Sequence, residues 1–109
     1  MRLPTPGDLR HRLRLEAATR SADGGGGAIV TWALVGEVWA SVKDTAGGEQ
    51  IAAGGLQGHL TREVWIRYRA DAAPAMRFAE GARLFDIQSV LDPDGRRRWL
   101  RCLCAERVG

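Results

Sequence analysis

The stretch that most narrows what this chain can fold into is its last quarter, LFDIQSVLDPDGRRRWLRCLC, running from Leu84 to Cys104. Apolar residues alternate on both sides of a turn signal. On the first arm Phe85, Ile87 and Leu91 fall on one face, with Leu84 and Val90 opposite. On the second, Leu100, Cys102 and Cys104 share a face, with Trp99 and Leu103 opposite. Between them Asp92-Pro93-Asp94-Gly95 has turn chemistry: proline presets φ, aspartates bond nearby amides, and glycine accepts positive φ. The pattern predicts a β-hairpin whose arms are apolar on both sides. Such strands belong in a barrel, in a sandwich, or in a sheet covered by a neighbouring subunit.

The rest of the chain supplies more strands of the same kind. Arg10 to Ala17 alternates, with Leu13, Leu15 and Ala17 inward and Arg12, Arg14 and Glu16 outward. Thr19 to Ala28, holding four successive glycines, reads as a flexible connection. Ile29 to Val35 and Glu37 to Lys43 are two strands, or one long strand bent at Gly36. In the second part Val38, Ala40 and Val42 make one face and Trp39 lies on the other. From His59 to Arg69, Leu60, Val64, Ile66 and Tyr68 line one face, while Thr61, Glu63, Trp65, Arg67 and Arg69 line the other. Trp65 on a charged outer face is either a subunit contact or a ring packed on arginine stems. Met76 to Ala79 completes the set before a turn at Glu80-Gly81. The expectation is an all-β fold, a small barrel or sandwich of six to seven strands with little helix.

Two segments stand apart. Residues 1–8, with Pro4, Pro6 and Gly7, read as a mobile N-terminal arm. Asp44 to Gly58, DTAGGEQIAAGGLQG, is a long glycine-rich excursion in which Glu49 to Ala53 has room for one helical turn at most. Loops of that length are uncommon in compact domains and call for a function, unless this one is simply a mobile surface loop.

Length and composition bound the function. The 109 residues make a single domain over 1–109, with no apolar run long enough to cross a bilayer and no secretory leader at the start. Synthesis and retention in the cytoplasm are expected. Net charge is +3, carried by arginines spread through strands, with Lys43 the one lysine. Cys102 and Cys104, two apart on a strand, point the same way and read as buried apolar thiols. His11 and His59 are isolated, so no metal site is expected. The glycine run lacks the Gly-Lys-Ser/Thr of a phosphate loop, and neither GxSxG nor HExxH occurs. No catalytic residue, cofactor or metal is therefore assigned, and the chain reads as a binding or structural protein.

In order, LRHRLRLE, a glycine-rich turn with TW, VWASV, REVWIRYR, PAMRF and the terminal hairpin resemble the head-closure proteins of long-tailed bacteriophages, also called head-tail joining or stopper proteins. Relatives occur in prophages and gene transfer agents. The resemblance spans roughly Leu9 to Glu106. It implies a homo-oligomeric ring, hexamer or dodecamer, in the neck of a virion or phage-like particle assembled in the bacterial cytoplasm. That ring would dock on the head-tail adaptor/portal complex, meet a tail terminator or tail tube protein, and surround packaged double-stranded DNA, with no membrane involved.

In some such proteins, loops converge in the channel to hold DNA. The matching segment here is 44–58, with Gly47, Gly48, Glu49, Gln50, Ile51, Gly54, Gly55 and Leu56 as candidate channel residues. It carries no basic residue after Lys43, so any contact with DNA would be steric. Trp39, Trp65, Arg67 and Trp99 are candidate subunit contacts. Arg96, Arg97 and Arg98 are either docking groups for acidic loops of a partner or a solvated basic turn. The alternative function is a small basic β-barrel that binds nucleic acid through its arginines and aromatics.

Overall fold

The computed structural model describes residues 3–44 and 59–107. The chain is all-β. Its strands are β1 (His11–Ala22), β2 (Ala28–Asp44), β3 (His59–Arg67), β4 (Arg77–Glu80), β5 (Arg83–Leu91) and β6 (Trp99–Arg107). They form one antiparallel sheet in the order β1-β2-β3-β6-β5-β4, which closes where β4 meets β1 through Arg14–Glu16. Closure removes the edges that an open six-stranded sheet would present. Pro6–Asp8 forms a short 3-10 turn in which the Thr5 amide donates to the Asp8 carboxylate at 2.9 Å, and Pro4 is buried.

The interior follows from two-residue periodicity. Leu13 and Leu15 of β1, Val64 and Ile66 of β3, Phe78 of β4, Phe85 of β5, and Cys102 and Cys104 of β6 are all fully buried. Both thiols are free, and burial pushes the Cys102 pKa up to about 12 and that of Cys104 higher still.

Two sequence expectations change and one open alternative, at Gly36, is decided. The strand expected to end at Ala17 continues to Ala22 and pairs with Ala28–Leu34, so only 23–27 is turn where a flexible connection was expected over Thr19 to Ala28. The Asp23 carboxylate accepts the Gly25 and Gly27 amides, at 2.7 and 3.1 Å, and Gly24 and Gly26 adopt positive φ. Gly36 bends one long strand, with a bulge that shifts the pairing from Leu15↔Gly36 to Glu16↔Leu34. On β5 the expected faces of Val90 and Leu91 are exchanged. The register slips between Ile87 and Ser89, so Val90 pairs with Cys102 and packs on the core while Leu91 is 48% exposed. One extra residue in a strand flips every side chain beyond it.

The end of the barrel where β2 leaves and β3 returns carries a belt of charge. His11 pairs with Glu80 (2.9 Å), Glu80 with Arg83 (3.5 Å), Arg83 with Glu106 (2.7 Å), and Glu106 with Arg62 (3.0 Å), which also holds Asp44. Each of the six strands contributes one residue. Hydrogen bonds from Arg83 and then Arg62 hold the Glu106 carboxyl below its ordinary range despite burial.

Candidate functional site

The terminal turn, 92–98, sits at the opposite end. The Gly95 amide bonds the Asp92 carbonyl at 3.3 Å with Gly95 at φ 69, as the turn chemistry requires. Asp94 accepts the Arg96 amide and is gripped by the Arg98 guanidinium at 2.5 Å, and these bonds lower its pKa, the Arg98 side chain most. Arg98 is thus spent inside the turn. Arg96 and Arg97 are exposed, and among the described residues neither side chain has a carboxylate partner. Arg97 has φ 57, a left-handed conformation uncommon for a side-chain-bearing residue; its amide donates to Asp92.

The tryptophans divide. Trp39 is 55% exposed, with Arg12 over its ring at 5.8 Å, beside a recess of about 230 Å³ lined by Glu37, Val38, Arg67 and Arg69. Trp65 is 1% exposed, which corrects the outer-surface placement expected from its charged neighbours. Its indole N–H donates to Glu63 at 2.6 Å, and Arg101 donates to the same carboxylate at 2.8 Å. Burial pushes the Glu63 pKa up, but those two hydrogen bonds prevail and hold it low. Trp99 is 8% exposed, with the exposed Arg67 over its ring at 5.2 Å. Trp39, Arg67 and the arginine tip are therefore the candidate contacts that face open solvent. The candidate channel residues Gly47, Gly48, Glu49, Gln50, Ile51, Gly54, Gly55 and Leu56 lie outside the described residues.

A further surface was not singled out from the sequence. Beyond the barrel, β1 and β2 continue as a ribbon, 17–35, that is exposed along nearly its whole length. Five of the six exposed large apolar residues among those described are on β2: Ile29, Val30, Leu34, Val35 and Trp39. At the ribbon's base Arg77 stacks on Trp32 at 4.1 Å and pairs with Glu16 at 2.8 Å. The signal was present in IVTWALV, read as a strand from Ile29 to Val35 and apolar on both faces like the terminal hairpin, but its partner Thr19–Ala22 was read with the adjoining glycines as a flexible connection.

Most arginines are already paired. Arg12 binds Glu37, Arg14 and Arg77 bind Glu16, Arg69 binds Asp71, and Arg101 binds Glu63, in addition to the belt. The cations without an ion pair among the described residues, such as Arg20, Lys43, Arg67 and Arg96, are spread over the surface instead of lining one groove, which weighs against the nucleic-acid alternative. Among the described residues no three His, Cys, Asp or Glu side chains are grouped to hold a metal ion, and no helix is long and apolar enough to cross a membrane.

A small closed antiparallel barrel that turns a basic tip, an exposed tryptophan and an apolar ribbon outward belongs to the class of small all-β barrels, and exposed apolar patches of this kind mark interaction surfaces. The chain belongs to the phage head completion protein family, whose model matches residues 4–107. It is similar to a chain in the virion of a native gene transfer agent particle, at 36% identity and a TM-score of 0.71, covering 92% of this chain and 96% of that one. It is also similar to a Shigella flexneri 2a protein whose structure was determined in solution, at 31% identity and a TM-score of 0.68, covering 94% and 96%. Among curated proteins, none matches the chain.

Proposed function

We propose that this protein is a structural neck component of a tailed phage or phage-like particle, forming a homo-oligomeric ring that joins the portal/adaptor complex to the tail. The observation that carries the reading is the family match over 4–107, supported by 36% identity to a chain of a gene transfer agent virion. Within it, Arg96 and Arg97 present two unspent charges to acidic loops of the adaptor or tail partner, while Arg98 shapes the tip. Trp39 and its recess form part of a lateral contact. Trp65 and Trp99 act chiefly through the chain's own packing, and Arg67, over Trp99, edges that contact. Segment 44–58 leaves from the belted end of the barrel and faces the channel, helping to close it over packaged DNA.

Electron microscopy of purified particles carrying a labelled copy checks this. The label is expected between portal and tail, and cells lacking the gene should accumulate filled heads without tails. A protein absent from purified particles, or normal tailed particles without it, would remove the proposal.

A further inference from the structure

The ribbon has two open edges. β2 is paired on its second side only through Ala40–Asp44, with β3. Toward the ribbon the Arg69 guanidinium lies over Gly36, 2.9 Å from where a Cβ would stand, and past it Ala28–Val35 has no partner on that side among the described residues. On the other edge β1 meets β4 at Arg14–Glu16 alone, leaving Ala17–Ala22 open beside a groove of about 560 Å³ whose lining includes Ala17, Trp32, Pro74 and Met76. Open strand edges template pairing with other chains, and monomeric proteins blunt them with lysine, proline or inward-pointing charge. Ala28–Val35 contains none of these, and its Ile29, Val30, Leu34 and Val35 are 51, 42, 54 and 37% exposed.

We propose that the ribbon joins copies of this chain edge to edge, the open β2 edge of one copy hydrogen-bonding the open β1 edge of the next, so that the arms make a continuous sheet around the ring. The inference rests on the ring reading above and names the surface that builds it. A second copy is the occupant because the two open edges are different strands of one ribbon. Each is then used once per subunit, as a heterologous closing contact requires. Ribbons pointing the same way place β2 beside an antiparallel β1, the pairing that already exists inside each ribbon. Charge agrees. Residues 17–35 carry only Arg20 and Asp23, of opposite sign, so neighbouring arms do not repel one another.

The test replaces Val30 and Leu34 by lysine in one chain (Val30→Lys, Leu34→Lys). Both are exposed, so the isolated chain should keep its circular dichroism and melting midpoint. Supplied to cells lacking the gene, this variant is expected to lower the yield of tailed particles at least tenfold, and native mass spectrometry of adaptor-bound protein should show single subunits instead of rings. Rings and tailed particles at wild-type levels would overturn the ribbon contact while leaving the ring reading intact. Rings that form but fail to bind adaptor or tail would also overturn it, assigning the edge to one of those partners. If the unmodified protein forms no ring in the neck, the ring reading fails and this proposal with it.

Discussion

The barrel and the ribbon are made of the same two strands, yet β1 and β2 behave differently above and below the bulge at Gly36. Below it, apolar residues such as Leu13 and Ala40 are fully buried, and each strand has a partner on both sides. Above it the chain stays β-branched and apolar, but Ile29, Val30 and Leu34 face solvent and each strand keeps one partner. Strand propensity therefore does not distinguish a segment buried in the barrel from one left exposed; the number of neighbours the sheet provides does. The barrel buries most of its apolar surface against itself, and the ribbon leaves its own exposed.

The sharpest way to break the contrast is truncation. Phe85→Ala and Trp65→Ala, both inside the folded chain, are expected to cost about 3–5 kcal/mol each in urea unfolding, whereas Ile29→Ala in the ribbon should stay within about 0.5 kcal/mol. Equal losses would mean that the ribbon is part of the cooperative unit. The belt comes next. Glu106→Gln keeps shape but removes the charge shared by Arg83 and Arg62, and about 1–3 kcal/mol of stability should go with it at neutral pH. The Glu106 pKa is depressed in the folded chain, so its contribution is complete above the ordinary value of 4.5 and disappears as pH falls through the lower folded value. Wild type should therefore lose more stability on acidification than Glu106→Gln, and parallel pH curves would show that the belt is not coupled to folding.

Two smaller effects separate the regions further. Cys102 and Cys104 should react with thiol reagents only at the rate of global unfolding, because they are buried and the Cys102 pKa rises to about 12. Fast labelling would mean that the barrel opens locally. At the ribbon tip, Asp23→Ala should speed hydrogen exchange at the Gly25 and Gly27 amides while leaving the unfolding midpoint where it was. A lowered midpoint would tie the tip to the core.

Much of this was legible along the chain. Alternation named Leu13 and Leu15 of β1 and Val64 and Ile66 of β3 as inward, and Asp92-Pro93-Asp94-Gly95 marked its turn; past the β1 bulge it failed, since Glu16, expected outward, is buried and Ala17, expected inward, lies outside the core. Trp65 was misplaced because sequence neighbours show which side of a strand a residue takes but not what lies over that side. Val90 and Leu91 were exchanged because a bulge costs one residue and leaves no strong composition mark. The ribbon was missed for a third reason: pairing with β2 made Thr19–Ala22 a strand, and pairing is a property of two segments at once.

The amino-acid sequence by itself determined that this chain is all-β, that its strands carry apolar groups on both faces, and that its order of segments is that of head-closure proteins. Local alternation and turn residues suffice for the first two, since each depends on near neighbours along the chain, while the third is a resemblance carried by the order of segments over the whole chain. Only the tertiary structure decided which apolar faces are used up at home. Closure of β4 onto β1, the two register shifts and the pairing of arginines with distant carboxylates depend on segments far apart in sequence. They leave the ribbon, Trp39 and, at the tip, Arg96 and Arg97 turned outward.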